Sequence, residues 1–163
     1  MIRGVVKSVV EGVIKRFSAS GRADETIDNR EYFQHYGYTS RPLAGAEIII
    51  IREGGHFIAV ASDDRRYRIT LENGEVALYD DLGQTIHLKR TGIEIASPAK
   101  ITLTAPDVII AASTAVTMTT PLVQASGNIT DATRNMADDR AIYNSHTHPG
   151  DSGGTTGTPN QDM

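Results

Sequence analysis

The stretch TGIEIASPAKITLTAPDVIIAASTAVTMTTP, residues 91–121, decides the fold. Four units align within it: IEIASP from Ile93, ITLTAP from Ile101, VIIAAS from Val108 and VTMTTP from Val116. Their starts lie eight, seven and eight residues apart, and each reads aliphatic, any residue, aliphatic, small residues, then Pro or Ser. Such a unit is a short strand: its first and third side chains face one interior, and the Pro or small residue ends pairing and lets the chain turn. A single chain winding four or five such strands would leave most of their backbone groups unpaired at its edges, which is costly. Three chains wound together remove that cost, because each strand finds neighbours from the other two and the aliphatic pairs fill a narrow axial core. The repeat therefore predicts a homotrimeric β-helix over residues 91–137, in preference to ordinary sandwich strands, for which the spacing leaves little room. Five layers at roughly 4.8 Å would make a shaft section only about 25 Å long.

Downstream, residues 138–163 are rich in Gly, Thr, Pro and Asn and include NSHTHPGDSGGTTGTPNQDM. His146 and His148 stand one residue apart, so in an extended segment both point the same way. One chain offers two imidazoles, and three chains on a threefold axis offer six. Six neutral nitrogens suit an octahedral transition metal better than tetrahedral zinc, and imidazole accepts iron, nickel, copper or zinc. With every position filled by protein the ion would be structural, stapling chain ends that have little apolar surface of their own. A solvated pair in a polar tail is the plain alternative. A hydrolytic site is another, since Asp151 follows the histidines, but no further histidine follows His148.

Upstream, short β-prone runs alternate with turn signals between Ala46 and Lys89: AEIIIIR, HFIAVA, YRITL, EVALY and TIHLK. They predict a five-stranded meander closed into a small antiparallel barrel, with Asn73-Gly74 in a type I′ hairpin turn. From Met1 to Phe17 the residues Val6, Val9, Val10, Val13 and Phe17 recur at helix-like spacing, yet the run is β-branched and contains Gly12, so strand and helix both stay open. Residues 18–42 read as a long loop or an edge strand with a bulge. His35, His56 and His87 fall in the expected barrel region.

Composition narrows the function. The 163 residues carry a net charge of -4 and no long Lys/Arg run, which gives no electrostatic footprint for nucleic acid. No cysteine is present, so disulfides and thiolate metal sites are excluded. No stretch approaches the roughly 18 apolar residues of a membrane span, and no signal peptide is read. GxSxG, Walker A and HExxH are all absent, and the chain is expected not to be an enzyme. Asp63-Asp64-Arg65-Arg66 reads as a solvated turn with internal ion pairs or, less simply, a contact surface. Tyr32, Phe33, Tyr36 and Tyr38 read as cover for a barrel core or subunit interface rather than a stacking platform.

Several stretches carry a family resemblance: GRADETIDNRE, FQHYG followed by SRP and GAE, ASDDRRYRI, GEVALYDDLGQTIHLKR, YNSHTHPGDSGG and TPNQDM. Over nearly its whole length the chain resembles the Mu-type phage baseplate spike family, also called baseplate assembly protein V. The resemblance implies an all-β homotrimer: an oligonucleotide/oligosaccharide-binding-type (OB-like) barrel with its N-terminal segment over residues 1–90, the intertwined shaft, and a metal-capped apex over residues 138–163. It implies one iron ion per trimer on His146 and His148, and it admits calcium and chloride on the axis without assigning their ligands. It also implies a virion component made in the host cytoplasm, with the barrel on the baseplate hub and the apex meeting the host outer membrane at the tail tip. A spike of a related contractile injection system, of the type VI secretion or pyocin-like kind, and a trimeric glycan-binding fibre are the alternatives.

Overall fold

A computed structural model describes residues 1–163. The chain forms two compact units, Met1–Ala105 and Pro106–Met163. In the first, β1 (Ile2–Val10), β2 (Arg16–Ser20), β3 (Thr26–Tyr32), β4 (Glu47–Glu53) and β5 (His56–Asp63) close a barrel in the order β1-β2-β3-β5-β4. All neighbours are antiparallel except β3 and β5, where Glu31 faces Ile58 and Tyr32 faces Ala59 in parallel. This small closed barrel fits an OB-like domain.

The barrel is not the meander expected between Ala46 and Lys89. Two of those runs, now β4 and β5, do enter it, but its other three strands come from residues 2–32. YRITL forms no strand: Tyr67 N–H closes a turn on the Asp64 carbonyl at 3.2 Å, and the closed barrel leaves no edge for this run to join. The Asn73-Gly74 turn is real, with Glu75 N–H on the Glu72 carbonyl at 3.1 Å, but only Gly74 has positive φ, at 85°. A type I′ turn requires positive φ at both central residues, so that expectation fails.

The ambiguous N-terminal run is strand β1. Its pairing with β2 shifts between Val6 and Ser8, so a bulge turns the alternation Ile2, Gly4, Val6 into a spacing of three before Val9 points inward. That bulge produces the helix-like pattern. A second irregularity, between Phe17 and Ala19 opposite Asn29 at φ 51°, hides β3 in the same way.

The eleven buried hydrophobic residues, among them Phe17, Ile48, Ile50 and Val6, all lie between Ile2 and Ala59. Tyr32 belongs to this core and shares a 2.6 Å hydrogen bond with the Ser62 hydroxyl, whereas Phe33, Tyr36 and Tyr38 are exposed. Gly4 is needed for the closure, because a Cβ there would stand 2.5 Å from the Ser20 carbonyl oxygen.

β6 (Val76–Tyr79), β7 (Thr85–Lys89) and β8 (Gly92–Ala96) form a separate antiparallel sheet, so His87 lies on β7 and outside the barrel. Register places Val76, Leu88 and Ile93 in one row and Leu78, Ile86 and Ile95 in the next, all on one face. All six are exposed, Ile93 at 72%. The opposite face, with Ala77, Thr85, His87 and Ala96, is the half-covered one. On that side Glu75 accepts backbone N–H groups from Glu72 and Arg90, each at 3.1 Å, and lies 3.0 Å from His87 Nε2.

In the second unit, residues 106–128 contain no helix or strand. An Asx turn follows, in which the Asp131 carboxylate accepts from Thr133 N–H at 2.7 Å and Arg134 N–H at 3.0 Å. It leads into helix α1 (Met136–Ser145), whose N-cap Asn135 accepts from Asp138 N–H at 2.9 Å.

Two outcomes follow from this packing. Gly4→Ala is expected to destabilise the barrel by about 1–3 kcal/mol, read as a lower thermal midpoint, because backbone has to move to admit the methyl group. Glu75 has a pKa lowered by the Glu72 and Arg90 amides and, after them, by His87. Its folded value lies below its unfolded one, so its contribution is complete above the ordinary carboxylate range and is lost as pH falls through the folded value. The stability difference between wild type and Glu75→Gln is thus expected to be flat near neutrality and to close in acid, as followed by amide exchange of β6 and β7.

Candidate metal centre

The two histidines stand where α1 ends and the Gly-rich tail begins. Asn135 followed three residues later by Asp138 is a helix-start signal present in the sequence, and the acidic first turn suits the helix N-terminus. The sequence reading missed this helix. It matters because His146 is its C-cap: the His146 N–H donates to the Ile142 carbonyl at 3.0 Å, and the backbone there turns extended at φ -70°, ψ 147°.

The His146 ring is oriented as well as placed. Its Nδ1 lies 2.5 Å from the Tyr143 carbonyl oxygen, which can only accept, so Nδ1 carries the proton and Nε2 of the neutral ring keeps its lone pair. A ring nitrogen anchored to a backbone carbonyl is the usual arrangement behind a metal-bound imidazole. The Tyr143 ring packs beside it at 5.4 Å between centroids.

His148 is held by the tail. Its N–H donates to Thr156 Oγ1 at 2.9 Å, and its carbonyl accepts from Thr156 N–H at 2.8 Å. Pro149 bridges to Thr155, and Gly150 N–H reaches the Gly154 carbonyl at 2.7 Å, with Gly153 at φ 82° in the turn. Farther on, Met163 N–H donates to Asn144 Oδ1 at 2.9 Å, so the tail folds back to the end of the helix.

These anchors bring the two imidazoles to 5.0 Å between centroids at an interplanar angle of 89°. Two rings binding one ion in adjacent positions through nitrogens at about 2.1 Å would have centroids roughly 4–5 Å apart. The donor set fits a transition metal. Within one chain no group of three or more His, Asp or Glu side chains forms, so Asp151 does not complete a hydrolytic triad with them.

Elsewhere the charged candidates are internally paired. Arg66 binds Asp64 at 2.6 Å, Arg68 binds Asp63, and Arg65 reaches Glu47 at 3.4 Å. The Asp64 carboxyl is held below its usual range chiefly by the Arg66 hydrogen bond, and Arg66 is raised in turn. This run is the solvated turn with internal ion pairs.

Residues 3–66, the span of the barrel, match the family model described as Bacteriophage Mu Gp45, N-terminal. The chain is 32% identical to the baseplate puncturing device gp45 of Escherichia phage Mu, over 96% of this chain and 87% of that protein. It is 32% identical to the Mu-like prophage FluMu protein gp45 of Haemophilus influenzae Rd, over 79% of this chain and 73% of the relative. It is also 30% identical to the spike protein of Escherichia phage P2, over 72% and 71%. Two of these relatives bear the names of baseplate or spike proteins, and with the barrel they define the class. The chain belongs to the Mu-type phage baseplate spike family.

Thr156→Val is expected to speed hydrogen exchange at the His148 amide by about two- to tenfold, the worth of one neutral hydrogen bond of about 0.5–1.5 kcal/mol. An unchanged rate would show that the tail does not hold His148.

Proposed function

We propose that this chain is a structural component of a contractile phage tail baseplate: the central spike, a homotrimer with its barrel on the hub, a β-helical shaft and a metal-stapled apex. The observation that carries the reading is the inverted burial of the β6–β8 sheet, where six aliphatic side chains face solvent while the polar face is half covered. An exposed apolar face of this kind marks an interface. The alternation continues beyond it in Ile101 and Leu103, Val108 and Ile110, and Val116 and Met118, all exposed, Leu103 at 75%. From Pro98 to Asn128 no backbone amide is hydrogen-bonded to a backbone carbonyl. Two further copies supply what is missing: strand neighbours for the backbone and an axial core for the aliphatic rows.

At the apex, three copies bring His146 and His148 together as six nitrogen donors. The bound ion would tie the three tails; its identity as iron comes from the family resemblance. What the chain itself contributes is the fixed tautomer of His146 and the brace on His148. In this reading tail contraction drives the apex through the host outer membrane, and the rod transmits force without chemistry. The exposed Phe33, Tyr36 and Tyr38 lend some support to a second reading, a glycan-binding fibre, and saturable glycan binding by the isolated protein would favour it.

Elemental analysis of untagged protein of known mass in solution tests the assembly and the staple together. The expected result is three chains per particle and close to one iron per three chains, with the metal lost in His146→Ala/His148→Ala. A monomer, or unchanged metal in an assembled double variant, would overturn the trimer or the ligand assignment respectively.

A further inference from the structure

Phe57, on β5 next to the β4–β5 hairpin turn, packs its partly buried ring against the edge of the barrel core. Two guanidinium groups flank that ring: Arg52 at 5.1 Å and Arg30 at 5.8 Å from its centroid. Both arginines are exposed and without an ion pair, a state they share with Arg16, Arg22, Arg41, Arg90 and Arg140, so what sets them apart is the aromatic ring they both lie over. Arg52 spends only its Nε, on the Gly54 carbonyl at 3.1 Å, and that bond leaves both terminal nitrogens free.

We infer that Arg30, Phe57 and Arg52 form a docking surface for a carboxylate-bearing protein, the baseplate component on which the barrel sits. This deepens the spike reading and rests on it. A guanidinium stacked on an aromatic face loses little freedom when it binds, and its fork matches a carboxylate in bidentate geometry. Position agrees: in the β4–β5 register Arg52 pairs with Phe57 near the Gly54-Gly55 turn, while Glu47 pairs with Asp63, where the chain leaves the barrel toward the aliphatic sheet. The arginines thus lie at the end away from that exit. Asp28, Glu31 and Glu53 stand within two residues of them on the same strands, which disfavours a long polyanion but leaves room for a discrete acidic side chain.

Tails assembled without this chain provide the probe. Purified wild type is expected to co-sediment with them, and Arg30→Glu/Arg52→Glu to bind about tenfold or more weakly at unchanged mass in solution and melting temperature. Should the reversal lower the melting temperature, Arg30→Gln/Arg52→Gln decides instead, since glutamine keeps an apolar stem against Phe57 without the charge. Charge-removed protein binding within about twofold of wild type would show that the arginines merely shield the ring, and would overturn this assignment alone. Arginine-dependent binding of a short single-stranded oligonucleotide, competing with the tails, would overturn it in favour of a phosphate site. Wild type that fails to join the tails would sink the baseplate reading and this assignment with it.

Discussion

Closure of five strands between Ile2 and Asp63 is the constraint on which the rest of the chain depends. Once β1 pairs with β4 and β3 with β5, the barrel has no free edge, and its interior is filled by Phe17, Ile48, Ile50, Val6 and their neighbours. No later strand can join it and no later side chain can enter its core. The sheet β6–β8 and everything after it must find burial somewhere other than in this barrel, and the aliphatic rows facing solvent are the result. The barrel thus fills its own core, and the β6–β8 sheet keeps its aliphatic face open.

The same closure governs where charge appears. The barrel wall carries its polar residues outward, and two of them, Arg30 and Arg52, lie over the Phe57 ring without a carboxylate partner. The run Asp63 to Arg68, by contrast, satisfies itself through short-range pairs. This agrees with its reading as a solvated turn, since paired charges in water have little left to offer a partner.

At the other extreme of the chain a polar segment gains definition through small local devices. An Asx turn, a capped helix and a folded-back tail fix the backbone that carries the two histidines with hydrogen bonds and almost no apolar burial. A site made this way is modest in a single chain. The His146 ring is oriented by its own hydrogen bond to the Tyr143 carbonyl, while the tail fixes only the backbone of His148.

How much of this was legible in the sequence depends on whether a pattern is local. The strands β4 to β7, apart from the false YRITL, and the first unit of the repeat, which forms β8, could be read directly, because period two survives in any context. The units from Ile101 onward form no strand within one chain. The family, too, was legible in stretches such as GRADETIDNRE and YNSHTHPGDSGG. Strand β3 was not, since its extra residue opposite Ser18 moves the inward side chain by one position and erases the alternation. Strand β2 keeps its alternation, but over only 5 residues, too short a run to stand out. Helix α1 left a capping signal that an otherwise polar sequence made easy to pass over. Only the tertiary structure decided which strands close the barrel, that His87 lies outside it and that the β6–β8 sheet shows its aliphatic face to solvent. Those are matters of which distant strands pair, and pairing partners are chosen by the whole barrel and not by the residues of any one strand.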